Sequence, residues 1–208
     1  MSSLAVVPFL QVLDLFGTAA FAVTGALKAV EHKSDIVGLI ILATITGVAG
    51  GVMRDIMFGR FPPTAIANPL YVVITIAMAV AIFFLYRAFK KHESLFLKFD
   101  AIGLGVFTVL GASIAYNLAG LNFLAMAFAG MITAVGGGIL RDVFVREMPI
   151  VFVKELYASA SFVGVVALFA LLYAGVDLYV AAIPSMAAVT ALRLTAIRYN
   201  WNLPRAHT

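Results

Sequence analysis

Asp14, Arg54, Asp55, Asp100, Arg141 and Asp142 are among the ionisable residues that sit inside otherwise apolar stretches of this chain. Arg54-Asp55 follows Gly50-Gly51, and Arg141-Asp142 follows Gly136-Gly137-Gly138. A charge at the centre of a membrane helix costs roughly 2.5 to 3.5 kcal/mol on insertion scales, and a glycine in a helix interior costs about 0.5 to 1 kcal/mol relative to alanine. Keeping both features in one short segment, twice, points to a use. The chemistry open to such segments is ion pairing away from water and, where glycine breaks a helix, freed carbonyls that replace part of a cation's hydration shell. The same glycines also let two membrane helices approach closely, and the two roles are compatible. Bond-making chemistry finds no such support. No serine, histidine and acid stand out as a catalytic set, and His32, His92 and His207 lie in or near loops with no partner at metal-ligand spacing. The absence of cysteine excludes thiolate metal sites and disulfides. The expectation is a protein that is not an enzyme and has neither cofactor nor resident metal.

The glycine segment is one half of a duplication. Thr46 to Asp55 reads T-G-V-A-G-G-V-M-R-D and Thr133 to Asp142 reads T-A-V-G-G-G-I-L-R-D, a shift of 87 positions. Asp14, Gly17, Phe21, Val23 and Gly25 recur 86 positions later as Asp100, Gly103, Phe107, Val109 and Gly111, and Leu70-Tyr71 recurs as Leu156-Tyr157.

The elements that must carry these residues are membrane helices. With 208 residues, 63% hydrophobic, 12% charged and a mean hydropathy of +1.08, the chain is an all-α polytopic membrane protein. A helix needs about 20 apolar residues to cross the hydrocarbon core, and seven stretches qualify, near residues 6–27, 36–58, 66–86, 101–118, 121–144, 152–174 and 177–197. The first carries no Lys or Arg before its apolar run and is expected to stay as a helix rather than be cleaved. Ser34-Asp35, Asn68-Pro69 and Asp177 are start signals for the second, third and seventh spans. The whole chain, 1–208, reads as a single membrane domain: repeat one about 6–86, repeat two about 97–174, and a seventh helix about 177–197. Three spans per repeat invert the second copy relative to the first, so the glycine runs of the second and fifth spans fall toward opposite faces and define two opposed constrictions.

Charge fixes the expected orientation. Lys28, Lys33, Arg87, Lys90, Lys91, Lys98, Arg141, Arg146, Lys154, Arg193, Arg198 and Arg205 fall on one side, against Arg54 and Arg60 on the other. The N-terminus is therefore expected outside and the C-terminus in the cytoplasm. Orientation also accounts for the net charge of +4, without nucleic acid. Sidedness pairs Asp14 with Arg54 and Asp100 with Arg141. Neighbours on a helix point about 100° apart, so Arg54 and Asp55 are not expected to pair, and Asp55 and Asp142 are left to cap backbone or face water. Lys28, Glu31, His32 and Lys33 read as a solvated loop.

The doubled G-G-x-x-R-D (Gly50 to Asp55, Gly137 to Asp142), three spans per repeat, a seventh helix and the proline after each motif resemble the prokaryotic relatives of the trimeric intracellular cation (TRIC) channels, a bacterial family also described as glycine transporters. The resemblance covers almost the whole chain. It implies a homotrimer in the lipid bilayer of a prokaryotic plasma membrane, each subunit with its own potassium-permeable pore for monovalent cations, lined by the glycine-broken second and fifth spans. Thr46, Gly50, Gly51, Thr133, Gly136, Gly137 and Gly138 are then the pore and hinge residues. Two classes stay open, a channel with one continuous water path and a secondary transporter of a small solute such as glycine. The lack of an acid midway between Asp14 and Asp55 favours the channel.

Overall fold

Helix signals dominate the sequence, and helices are what form. The computed structural model describes residues 3–86, 92–153 and 156–201. Nine helices lie among them: α1 Ser3–Glu31, α2 Ile36–Met57, α3 Thr64–Ala67, α4 Leu70–Leu85, α5 His92–Ala119, α6 Phe123–Phe144, α7 Ile150–Val153, α8 Ala158–Tyr173 and α9 Leu178–Tyr199. Side-chain caps set three starts: Asp35 accepts from the Gly38 amide at 2.7 Å, Asn122 from Ala125 at 3.1 Å and Asp177 from Tyr179 at 2.9 Å. Gly120, at φ +67°, takes the left-handed turn after α5 that a side chain would resist.

Among the described residues, five helices, α1, α2, α5, α6 and α9, are long and apolar enough to cross a membrane. The expected spans 66–86 and 152–174 differ from the structure. Each begins with a four-residue helix and continues as a 16-residue one, α4 or α8, about 24 Å long at about 1.5 Å per residue. Pro69, which has no amide hydrogen, separates α3 from α4, and Asn68 Oδ1 takes the Leu70 amide at 3.0 Å instead. The fourth expected span begins earlier than residue 101, because α5 runs back to His92. Arg87, Lys90, Lys91, Lys154, Arg205 and His207 lie outside the described residues, as does the side chain of His92.

α1 and α5 pack together at the centre, α2 and α6 lie against both, α4 covers α1 and α2, and α8 and α9 cover α5 and α6. Small residues let the backbones close. Phe21 of α1 fills the space above Gly103 of α5, and Phe107 of α5 fills the space above Gly17 of α1. The two rings meet edge to face with centroids 5.1 Å apart. Because 17 pairs with 107 and 21 with 103, α1 and α5 run antiparallel. The outer surfaces present Val73, Phe84, Leu124, Phe128 and Ile183, each more than half exposed, a face suited to lipid tails.

Candidate functional site: the α2–α6 crossing and its two charged clusters

α2 and α6 stay helical through Gly50-Gly51 and Gly136-Gly137-Gly138, so the expected breaks are absent. The glycines serve a crossing instead. Gly50 faces the carbonyl oxygen of Thr133, Gly137 faces that of Thr46, and the Gly50 Cα lies 3.3 Å from where a Cβ on Gly136 would stand. The pairing of 50 with 133 and 46 with 137 makes this crossing antiparallel too. The Thr46 and Thr133 hydroxyls each donate to a carbonyl of their own helix at 2.6 Å, Leu42 and Ala129. It is their carbonyls that form the contact. Gly51 and Gly138 lie just off it, with Arg54 Nη2 and Tyr157 Oη, at 3.6 and 3.4 Å, the nearest atoms to an added Cβ.

Beyond each end of the crossing sits a buried arginine. Arg54 is 1% exposed and Arg141 0%, so neither reaches the interface as a helix-end anchor. Arg54 Nη2 lies 3.3 Å from Asp14 Oδ2, and Arg54 Nε donates to Asp55 Oδ1 at 3.0 Å. Arg141 Nη1 donates to Asp100 Oδ1 and to Thr24 Oγ1, both at 3.0 Å, and Arg141 Nε to Asp142 Oδ1 at 2.8 Å. The pairing of each arginine with the aspartate next to it overturns the expectation from helical spacing. The guanidinium folds back along its own helix, so its Nε reaches the neighbouring carboxylate while its outer edge reaches another helix. The same carboxylates also hold backbone: Asp55 Oδ2 accepts the Thr64 amide at 2.8 Å and Asp142 Oδ2 the Ile150 amide at 2.9 Å. Each aspartate therefore fixes the short helix that follows its motif. A carboxylate with several donors out of water is held far more strictly than a surface pair.

The space around the clusters is unequal. Asp14, Thr18, Gly47, Gly51, Arg54 and Tyr71 line a crevice too tight to admit a water molecule. Near the other cluster opens a cavity of about 740 Å³, lined among others by Lys28, Glu31, Tyr86, Glu93, Phe96 and Glu147. Lys28 is not in a solvated loop. It belongs to α1, its side chain is 11% exposed, and its ammonium meets Glu147 at 2.7 Å and Glu31 at 3.1 Å. Arg193, expected among the basic residues of one membrane side, is fully buried in α9, its guanidinium 4.9 Å from the centroid of the Tyr157 ring.

Sequence reasoning missed Thr24, Lys28, Glu147, Tyr71, Tyr157 and Arg193. A signal existed for the tyrosines, which recur at the repeat shift, and for Arg193, a lone cation in an apolar run. Thr24 and Glu147 had none, since their repeat positions hold Leu110 and Arg60.

Known proteins share this plan. The pattern of the family described as Glycine transporter matches residues 11–87 and again 97–173, the two matches set apart by the repeat shift. The UPF0126 inner membrane protein YadS of Escherichia coli K12 is 34% identical over 194 residues, 92% of this chain and 93% of that protein. The UPF0126 membrane protein YvgT of Bacillus subtilis is 32% identical over 93% of this chain and 95% of its own. A solved TRIC trimeric intracellular cation channel orthologue from Rhodobacter sphaeroides is 34% identical and superposes with a TM-score of 0.88, over 92% of this chain and 98% of that one. A second TRIC cation channel structure, also 34% identical, superposes with a TM-score of 0.86 over 95% and 97%. With both halves matched by the family pattern and the whole fold superposed, this chain belongs to the glycine-transporter (UPF0126) family of membrane proteins, the prokaryotic branch of the TRIC channels.

Proposed function

We propose that this protein is a potassium-permeable channel for monovalent cations, a homotrimer with a pore in each subunit that follows the α2–α6 crossing from one charged cluster to the other. The observation that carries this reading is the placement of two arginine–carboxylate clusters, buried in helices, at opposite ends of an antiparallel helix crossing closed by glycine. A structural role alone calls for apolar packing at those positions, because a buried ion pair is weak stabilisation. The solved relatives, named as cation channels and as trimeric, support the ion and the assembly.

The antiparallel course of α1 against α5 and of α2 against α6 supports two inverted three-helix repeats with α9 outside them, crossing the membrane seven times with α4 and α8 as its short spans. The balance of basic residues supports an N-terminus outside and a C-terminus in the cytoplasm. In this conformation the crossing is shut: Gly50 and Gly137 touch the opposite backbone and the crevice beside Arg54 excludes water. Opening separates α2 from α6 at the glycines, with no helix broken.

A secondary transporter of a small solute such as glycine is the second reading, favoured by the description of the matching family. Planar-bilayer recording of the purified protein in potassium chloride separates the two. Unitary potassium currents are expected; uptake of labelled glycine into proteoliposomes with no current would replace the channel by the transporter.

A further inference from the structure

The two ends of the crossing are not alike. At the Arg141 end, α1 ties itself to the end of α6 twice, one helical turn apart. Thr24 Oγ1 accepts from Arg141 Nη1 at 3.0 Å, and Lys28 Nζ pairs with Glu147 Oε2 at 2.7 Å. Glu147 is locked into the same cluster, since its amide donates to the Asp142 carbonyl at 2.9 Å while the Asp142 carboxylate holds Arg141 and the start of α7. His32 Nε2 adds a contact to Glu147 at 3.3 Å. The ring of Phe96 covers both cations, 5.8 Å from Lys28 and 4.6 Å from Arg141.

The repeat supplies an internal control. At its shift, Thr24 and Lys28 become Leu110 and Ile114, both buried in an apolar cluster, and Glu147 becomes Arg60, which faces Asp55. At the Arg54 end the equivalent positions on α5 are thus apolar, and the Lys28–Glu147 pair has no counterpart across the repeat. The Lys28–Glu147 tie stands at the 740 Å³ cavity, which Lys28, Glu31, Phe96 and Glu147 line.

We propose that Thr24 and Lys28 are positioning residues that clamp one mouth of the conduction path, so that passage is controlled at the Arg141 end. This rests on the channel reading above. As α2 and α6 separate, opening at this mouth also parts α1 from the end of α6 and breaks the Lys28–Glu147 pair. It leaves the Lys28–Glu31 pair intact, because Glu31 lies three residues on in the same helix, at 3.1 Å. Glu31 is the resting partner that keeps Lys28 from standing unpaired in the open state, which makes the clamp reversible. With Glu147 38% exposed, the tie is a weak one, and its loss shifts the open-to-closed ratio about three- to fivefold.

The test records the full chain in planar bilayers with symmetric potassium chloride. Lys28→Met, which keeps the stem against Phe96, and Glu147→Gln are expected to raise open probability about three- to fivefold at unchanged unitary conductance. Glu31→Gln, which strips the resting partner, is expected to lower it by a similar factor. A residue that only supports the fold moves all three in one direction. No rise in the first two, or a rise in the third, overturns the clamp. A second measurement needs no current: the amides of Val145, Arg146 and Glu147 bond back to α6, and their hydrogen exchange is expected to quicken about three- to fivefold in Lys28→Met. Unchanged exchange overturns the clamp. Faster exchange in a protein that passes no current supports the clamp and removes the channel reading.

Discussion

Replacing Gly50 with alanine sets a methyl group against the carbonyl oxygen of Thr133, closer than non-bonded atoms approach, whereas the same change at Gly51 meets nothing nearer than Arg54 Nη2 at 3.6 Å. The obstacle at Gly50 is backbone and cannot rotate away, so α2 and α6 must move apart. Overpacking of this kind costs about 1 to 3 kcal/mol, and alanine recovers up to about 1 kcal/mol of helical propensity. With that recovery taken in full, the expected net loss for Gly50→Ala is up to about 2 kcal/mol, against a gain of up to about 1 kcal/mol for Gly51→Ala. The second repeat predicts the same order, since Gly137 faces the Thr46 carbonyl and Gly138 has only Tyr157 Oη near, at 3.4 Å. Gly136→Ala is expected to cost less than Gly50→Ala, because its nearest obstacle is the flexible Met53 thioether, the Gly50 Cα stands at 3.3 Å, and its repeat position already holds a buried alanine, Ala49. Unfolding by sodium dodecyl sulfate in mixed micelles, followed by far-UV circular dichroism, measures all of these. If Gly51→Ala costs as much as Gly50→Ala, the glycines act as a bending pair and the crossing does not explain them.

Arg54→Ala leaves the Asp14 and Asp55 carboxylates buried without their cation and is expected to cost about 3 to 5 kcal/mol; Asp14→Ala with Arg54→Ala together costs less than their sum, and additive losses in the same unfolding assay would count against the pair. Arg141→Lys replaces a fork that meets Asp100, Thr24 and Asp142 through two nitrogens by a single ammonium, and is expected to destabilise nearly as much as alanine; full stability of the lysine variant would show that charge alone suffices. Native mass spectrometry from mild detergent is expected to give three times the mass of 22.1 kDa; one or two subunits would remove the trimer.

How much was legible in the sequence follows from which interactions are local and which cross the repeat. The membrane class, the helix starts at Asp35 and Asp177, and the approach of Asp14 to Arg54 and of Asp100 to Arg141 were all legible, because periodicity, capping and repeat equivalence act on residue types alone. The pairing of Arg54 with Asp55 was not, since helical spacing describes where Cβ atoms point and not where a long side chain folds. The glycine runs left two readings open. Glycine permits either a broken helix or a touching one, and only the partner, here a carbonyl on the other repeat, decides between them. Lys28 looked solvated because its partner Glu147 is 119 residues away. Buried Arg193 was counted with its neighbours because α9 has no repeat to compare with.

An arginine at each end of the proposed cation path looks self-defeating, but the second cluster shows why it is not. Arg141 is shared by two carboxylates, Asp100 and Asp142, so its positive charge does not stand alone. For an ion about 8 Å away, one unit charge is worth about 0.5 kcal/mol in bulk water and about 2 kcal/mol at an effective dielectric near 20. Asp100→Asn keeps the shape and an oxygen acceptor for Arg141 Nη1 while removing one of those two negative charges. Potassium conductance is then expected to fall between about twofold and thirtyfold, with the reversal potential in a potassium chloride gradient moving toward that of chloride. The loss shrinks as salt is raised, because ions in an open path screen the charge within about 10 Å at 0.1 M. Bilayer recordings at low and high salt, on protein whose oligomeric mass is unchanged, make the comparison. A conductance equal to the parent at low salt would mean that ions do not pass this cluster, and the path along α2 and α6 would have to be abandoned.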